Sequence, residues 1–127
     1  MKTFLAPLAA VVLAAGASAP ALAHHSVNGQ YDVSKFVTVT AVLVEFREIN
    51  PHTRWGIVVK DPKAGDVRWE LEGVSPNVLR RQGVKIKEDI KIGETYTFQF
   101  SPPWNGAKTG LLTAMDIKGK HYIYNKL

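Results

Sequence analysis

The histidines of this sequence carry its most specific chemistry, and two of them are adjacent, at His24 and His25. If the working chain starts at His24, the free amine and the imidazole of that residue form one chelate ring around a metal ion. Neutral imidazole and amine nitrogens suit Cu(II) in a tetragonal site. His25 and His52 are the candidates for the remaining positions, whereas His121 is predicted to be structural or exposed.

A start at His24 depends on removal of residues 1–23, which have the composition of a secretory signal. One basic residue precedes an uncharged run rich in Ala, Leu and Val, and small residues follow it. Of two Ala-x-Ala sites, cleavage after Ala19 would place Pro20 at the scissile bond, where its ring is unfavourable. We therefore predict cleavage after Ala23 and a periplasmic or secreted protein. The alternative, a membrane anchor, needs about 20 apolar residues, and this run is shorter.

The tripeptide Asn50-Pro51-His52 has a simpler interpretation than metal binding. Asn and Pro are turn formers, and the imidazole of His52 could pack on Trp55. Tandem histidines at a chain terminus can likewise be solvated. Copper binding by the terminal amine, His24, His25 and His52 is therefore a hypothesis to be tested against these alternatives.

The elements that must position these groups lie in residues 24–127, which we predict to be one domain. Runs of β-branched and aromatic residues between turn formers predict five strands and a short last one. They cover residues 35–47, 55–60, 67–72, 95–101, 111–117 and 121–124. One helix is indicated over 75–82, with Ser75 as its N-cap, Pro76 in its first turn and Gly83 after its end.

The order of these elements favours an OB-like five-stranded barrel, all-β apart from the one short helix. The first strand is exceptionally long, and the helix between strands three and four would close one end of the barrel. A β-sandwich is the alternative, which explains the strand spacing but gives no reason for a helix at that position. The predicted core residues are Val39, Trp69, Leu71, Phe98 and Leu112.

In an OB-fold the usual ligand face consists of strands two and three with the loops joining strands one to two and four to five. Here this face contains His52, Arg54, Glu70, Glu72 and Trp104. Trp104 lies among prolines and glycine, and is either an exposed aromatic platform or a cap over the barrel mouth. Glu70 and Glu72 share one face of a strand. They are predicted to be solvated, and an acid pair is the alternative.

Composition argues against several classes of protein. The sequence has no cysteine, which excludes disulfides, thiolate metal sites, cysteine nucleophiles and a lipidated cysteine. Without Lys2, the excess of 16 basic over 11 acidic side chains falls to +4, which is too mild to indicate a nucleic-acid partner. The serine elbow, the zinc-binding helix and the phosphate loop of common enzymes are missing from the sequence.

Six segments follow one another in a recognisable order. They are His-His-Ser at 24–26, the strand at 39–46, Asn-Pro-His at 50–52, Trp-Glu-Leu-Glu at 69–72, the helix with its caps at 75–83, and Ile-Gly-Glu at 92–94. Together they resemble an uncharacterised family of small exported bacterial proteins. The chain departs from that family at Ala41, where glycine is usual, at Glu48, where tryptophan is usual, and in the 102–108 loop. The resemblance implies export and a compact β-barrel, and implies no activity.

The sequence therefore predicts a small periplasmic binding module and no catalytic residues. Its first candidate ligand is copper, bound through His24, His25 and His52. The alternative is a metal-free OB-like module that binds a small molecule or partner protein through strands two and three and Trp104. A hydrolase that uses Glu70 or Glu72 is a third possibility. No membrane span is expected in the mature chain.

Overall fold

Strands account for most of the regular structure in residues 27–124, the part of the chain that the computed structural model describes. In chain order the elements are α1 (Val27–Gln30), β1 (Val37–Arg47), β2 (Arg54–Asp61), β3 (Gly65–Glu72), α2 (Pro76–Arg81), α3 (Ile86–Asp89), β4 (Thr95–Ser101), β5 (Thr109–Ile117) and β6 (Lys120–Ile123). The predicted signal peptide and both terminal histidines lie outside the described residues. Within residues 27–124, no helix combines the length and apolar character needed to cross a membrane.

Five strands of the described chain close into a ring, as predicted for an OB-like barrel. β1 pairs antiparallel with both β2 and β4, β2 pairs with β3, and β4 pairs with β5. The ring closes where residues 70–72 of β3 run parallel to residues 109–111 of β5. β6 lies outside the ring and pairs with the last part of β5. The predicted fold class is therefore confirmed.

The long first strand pairs along both of its edges, and a bulge changes which of its faces is turned to the core. Val37, Val39, Ala41 and Leu43 belong to or pack against the core before the bulge, and Phe46 packs against it after the bulge. Residues 37–42 of β1 pair with β4, and residues 42–47 pair with β2. A bulge between Leu43 and Glu45 marks the change of partner, since an extra residue bends a strand and increases its twist. Leu43 there donates its N–H to the Glu94 carbonyl and accepts from the Gly93 N–H. Gly93 adopts a positive φ of 91° that suits glycine.

The predicted core residues differ in how completely they are buried. Leu71, Phe98 and Leu112 are fully buried, whereas Val39 and Trp69 are half-buried and pack against the core. β3 pairs with β5 only from Glu70 onward. Trp69 therefore lies where the two strands separate. Its ring packs against Phe100, and Nζ of Lys108 lies over it, 4.8 Å from its centre.

The predicted helix is present as α2, and its caps are those that the sequence indicated. Ser75 accepts a hydrogen bond from the Val78 N–H through its side chain, and Leu79 is fully buried. Gly83 follows the helix with a φ of 90°. Two further single turns, α1 and α3, accompany it among the described residues. Each is only four residues long, too short to show helical periodicity in the sequence.

Candidate functional site

The start of the described chain is bound to the loop between β4 and β5. The indole N–H of Trp104 donates to the carbonyl of Asn28 at 2.8 Å, and the backbone N–H of Trp104 donates to the carbonyl of Gln30 at 3.3 Å. The indole is 61% exposed. Trp104 is therefore an exposed aromatic surface whose polar edge binds the N-terminal segment, rather than a cap over the barrel mouth.

Two buried residues continue this attachment. Tyr31 forms a bridge with Pro103, and Asp32 donates its backbone N–H to the carbonyl of Pro102 at 2.8 Å. Tyr31 and Asp32 are only 3% and 4% exposed. The N-terminal segment, defined here as residues 27–35, is thus packed into the fold beside the loop that carries Trp104.

A single carboxylate, that of Glu72 at the end of β3, faces three side chains from three parts of the chain. Its Oε2 accepts from the hydroxyl of Tyr31 at 3.4 Å and lies 3.0 Å from Nη1 of Arg54. Its Oε1 lies 3.7 Å from Nε2 of His52. The Glu72 side chain is only 16% exposed. The N-terminal segment, the loop after β1 and strand β2 therefore meet at one carboxylate.

The surroundings of Tyr31 hold the proton on its hydroxyl more firmly than usual. Burial and, to a smaller extent, the negative charge of Glu72 raise the pKa of Tyr31 to about 12, although Arg54 acts in the opposite direction. A phenol in this position remains a hydrogen-bond donor throughout the physiological pH range. The link between the N-terminal segment and Glu72 is therefore maintained over that range.

Thr53 fixes the loop that presents His52. Its hydroxyl donates to the carbonyl of Val74 at 2.7 Å and accepts from Nε1 of Trp55 at 2.9 Å. The backbone of Thr53 exchanges further hydrogen bonds with residues 73 and 74, and its side chain is fully buried. His52 stands immediately before this anchor, and its half-exposed side chain faces Glu72.

The substitution Thr53→Val is expected to destabilise the fold by about 1–3 kcal/mol, because it leaves the buried indole N–H of Trp55 without its acceptor. The measurement is the free energy of unfolding from urea denaturation. Thr40→Val is the matched control, since the Thr40 hydroxyl is exposed and only contacts Thr97 at 3.5 Å. Equal stability of the two variants would show that the Thr53 hydroxyl does not hold the loop.

The outer face of β1, β2 and β3 carries charged residues that neutralise one another. Arg47 binds Glu70 at 2.9 Å and Glu45 at 3.1 Å, and Arg68 binds the other oxygen of Glu45 at 2.5 Å. The guanidinium of Arg68 crosses Gly56, where a Cβ would come within 2.7 Å of its Nη2. A polyanionic ligand would have to displace carboxylates from these arginines, which disfavours this face as a nucleic-acid surface.

The residues predicted for the site are partly brought together. His52, Arg54 and Glu72 form one cluster, whereas Glu70 faces Arg47, and Trp104 is linked to the cluster through residues 30 and 31. Glu70 and Glu72 were predicted to be solvated. In the structure both are half-buried, and each is bonded to an arginine. His121 is exposed and pairs with Asp116 on the β5–β6 hairpin.

Tyr31 is the residue of this cluster that the sequence did not indicate. It is separated from Glu72 by 41 positions, and it stands in a polar segment without strand or helix periodicity. Among residues 27–124, no group of three side chains suited to a metal ion is present. The described residues alone therefore do not form a three-ligand metal site at His52.

Comparison with known proteins places the chain in a family. No curated protein and no solved structure matches it. A family model described as a family of unknown function (DUF6152) matches residues 11–114. The match extends through the N-terminal segment, the His52 loop, Glu72 and Trp104. The chain therefore belongs to this family of unknown function.

Proposed function

We propose that this protein is a periplasmic binding module that holds copper through its mature N-terminal amine, His24, His25 and His52. The observation that supports the proposal is the shared carboxylate of Glu72. It contacts Tyr31 in the N-terminal segment and faces His52 in the loop after β1. The N-terminal segment and the loop that carries His52 thus meet at one carboxylate.

The short stretch of chain before the N-terminal segment limits how far the terminal histidines can lie from it. Val27 and Tyr31 are joined by one helical turn, with the Tyr31 N–H on the Val27 carbonyl at 2.9 Å. A turn of helix rises about 5.4 Å. His24 is three positions before Val27, and an extended chain covers at most ~3.6 Å per residue. The terminal amine therefore stays within about 11 Å of Val27.

The ligand chemistry favours copper among the divalent metals. An amine and several imidazoles form a nitrogen-rich set without thiolate, and Cu(II) binds such ligands in tetragonal geometry. Binding requires neutral nitrogens, so the affinity falls when imidazoles take up protons below pH ~6.5. Export would place such a site where copper meets no cytosolic thiols.

The proposal is tested by native mass spectrometry of protein that is expressed with its own leader and recovered from the periplasm. The expected mass corresponds to a start at His24. Added Cu(II) should give one metal per chain at pH 7.5, and most of that metal should be released at pH 5. A mass that starts at Pro20 or Met1, or a chain that starts at His24 and takes up no copper, would overturn the proposal.

A metal-free module is the second candidate, and the 61% exposed indole of Trp104 favours it. Aromatic side chains at such a loop can stack on a planar or apolar ligand. Here the indole N–H is already bonded to Asn28, so only the ring surface is available. This candidate replaces copper binding if the protein that starts at His24 takes up no metal.

A further inference from the structure

Asparagine followed by glycine occurs twice in this chain, at residues 28–29 and 105–106. The side-chain amide of an asparagine can be attacked by the backbone nitrogen of the next residue, and glycine hinders that attack least because it has no side chain. The two reacting groups belong to one chain, which favours the reaction strongly over that of separate molecules. Each dipeptide is therefore a candidate for a change of covalent structure, and the fold decides which of them reacts.

The second dipeptide lies in an open part of the structure. Residues 104–108 are exposed, and Gly106 adopts a φ of 73°. Apart from its chain neighbours, a Cβ added to Gly106 would meet no heavy atom within 4 Å. The backbone at this point can therefore rearrange locally without disturbing the packing of the core.

The side-chain amide of Asn105 is held against the backbone that follows it. Its Oδ1 accepts a hydrogen bond from the N–H of Ala107 at 3.0 Å. When the nitrogen of Gly106 adds to Cγ of Asn105, negative charge develops on this same oxygen. A donor that is in place before the charge develops stabilises the transition state. The N–H of Ala107 therefore favours the reaction of Asn105.

We propose that Asn105 and Gly106 form a self-modification site, at which the fold favours conversion of Asn105 to aspartate or isoaspartate. The nitrogen of Gly106 gives its proton to water and forms a bond with Cγ of Asn105. The bond from Cγ to Nδ2 breaks, and ammonia leaves after taking up a proton. Water then opens the cyclic imide, giving aspartate by attack at Cγ and isoaspartate by attack at the backbone carbonyl.

The reaction changes the loop that binds the N-terminal segment. It replaces a neutral amide with a carboxylate directly after Trp104, whose indole and backbone N–H groups donate to Asn28 and Gln30. In isoaspartate the chain also continues through the side chain, which lengthens the backbone of the loop. The site goes beyond the proposed function, because neither a metal nor a histidine takes part. The surface beside the exposed indole becomes more negative as the molecule ages.

The first dipeptide lies where the same reaction is hindered. It belongs to the helical turn α1, in which the N–H of Tyr31 donates to the carbonyl of Val27 at 2.9 Å. The carbonyl of Asn28 is also held by the indole of Trp104 at 2.8 Å. Closure of the imide ring requires the peptide after the asparagine to turn, which these hydrogen bonds oppose. We therefore expect Asn28 to react more slowly than Asn105 in the folded protein.

Incubation of the folded protein at neutral pH, followed by peptide mapping with mass spectrometry, tests the proposal. Asn105 should be converted at least ~10-fold faster than Asn28, because only Asn105 is free to reach the reactive geometry. In urea the two asparagines should react at similar rates, since the same residue type follows each of them. Gly106→Ala should slow the conversion of Asn105 by at least ~10-fold, because its methyl group hinders the attacking nitrogen. Gly29→Ala is the matched control and should leave the rate at Asn105 unchanged.

The products identify the mechanism. Isoaspartate at position 105 is expected, since direct hydrolysis of the side chain by water gives aspartate alone. Aspartate without isoaspartate, or an unchanged rate in Gly106→Ala, would show that the Gly106 nitrogen is not the nucleophile and would overturn the proposal. Equal rates at Asn105 and Asn28 in the folded protein would also overturn it, because the fold would then make no selection. This comparison uses the unsubstituted protein and decides the matter even if Gly106→Ala proves unfolded.

Discussion

Four residues of glycine and serine placed before His24 should weaken Cu(II) binding by at least ~10-fold, which corresponds to about 1.4 kcal/mol. The extension leaves every side chain in place but moves the free amine away from His24. The two-nitrogen chelate of amine and imidazole is then lost, and only separate imidazoles remain as ligands. The measurement is a competition titration of Cu(II) at pH 7.5.

The length of the extension matters for this experiment. One or two added residues would place a histidine at position two or three, where the amine, a deprotonated amide and the imidazole chelate Cu(II) together. Four residues place His24 at position five and avoid that substitute site. The control carries the same four residues after Leu127 and should bind Cu(II) like the native protein. An N-terminally extended chain that binds as tightly as this control would rule out the chelate and favour the metal-free module.

The features of the fold that were predictable from sequence have local signals. The helix is marked by Ser75, Pro76 and Gly83, which act through the backbone of one short segment. The long β1 is marked by its run of β-branched residues, which suits a strand that pairs along both of its edges. Because these signals need no distant partner, the sequence places the strands and α2 to within a few residues.

The features that were not predictable depend on contacts between distant parts of the chain. No local pattern indicates the parallel pairing of β3 with β5, since it depends on how the barrel closes. The half-burial of Trp69 follows from the same closure. α1 and α3 escape detection because a single turn contains too few residues for a periodic pattern.

The candidate site, too, was predictable only in part. His52, Arg54 and Glu72 were predicted together because the strand order of an OB-like barrel places them on its usual ligand face. That reasoning concerns only the two strands and their loops, and it does not predict which other segments of the chain pack against them. The attachment of residues 27–35 and the hydroxyl of Tyr31 on Glu72 are therefore visible only in the structure. That attachment places residues 27–35, which follow the two terminal histidines in the chain, beside the face.

Gly110→Ala is expected to destabilise the protein by about 2–3 kcal/mol, because overpacking of a filled core costs this much. Gly110 lies in β5 where it meets β3, and it is buried. A Cβ at this position would overlap the ring of Phe100 and come within 3.0 Å of Cδ2 of Leu71. Both neighbours are fully buried, so neither can move into solvent. The melting temperature should fall by roughly 10–20 °C.

Two further variants show whether Gly110→Ala destabilises the protein through steric overlap or through strain in the backbone. Gly106→Ala introduces a side chain at a φ of 73° but meets nothing within 4 Å, so its cost of about 1 kcal/mol reports backbone strain alone. Phe100→Leu removes the ring that the new methyl group would strike. The double variant of Gly110→Ala with Phe100→Leu should therefore be more stable than the sum of the single effects predicts, by about 1 kcal/mol. Additive effects would mean that Gly110 is required for its backbone freedom, and that β3 and β5 do not close the barrel as closely as described.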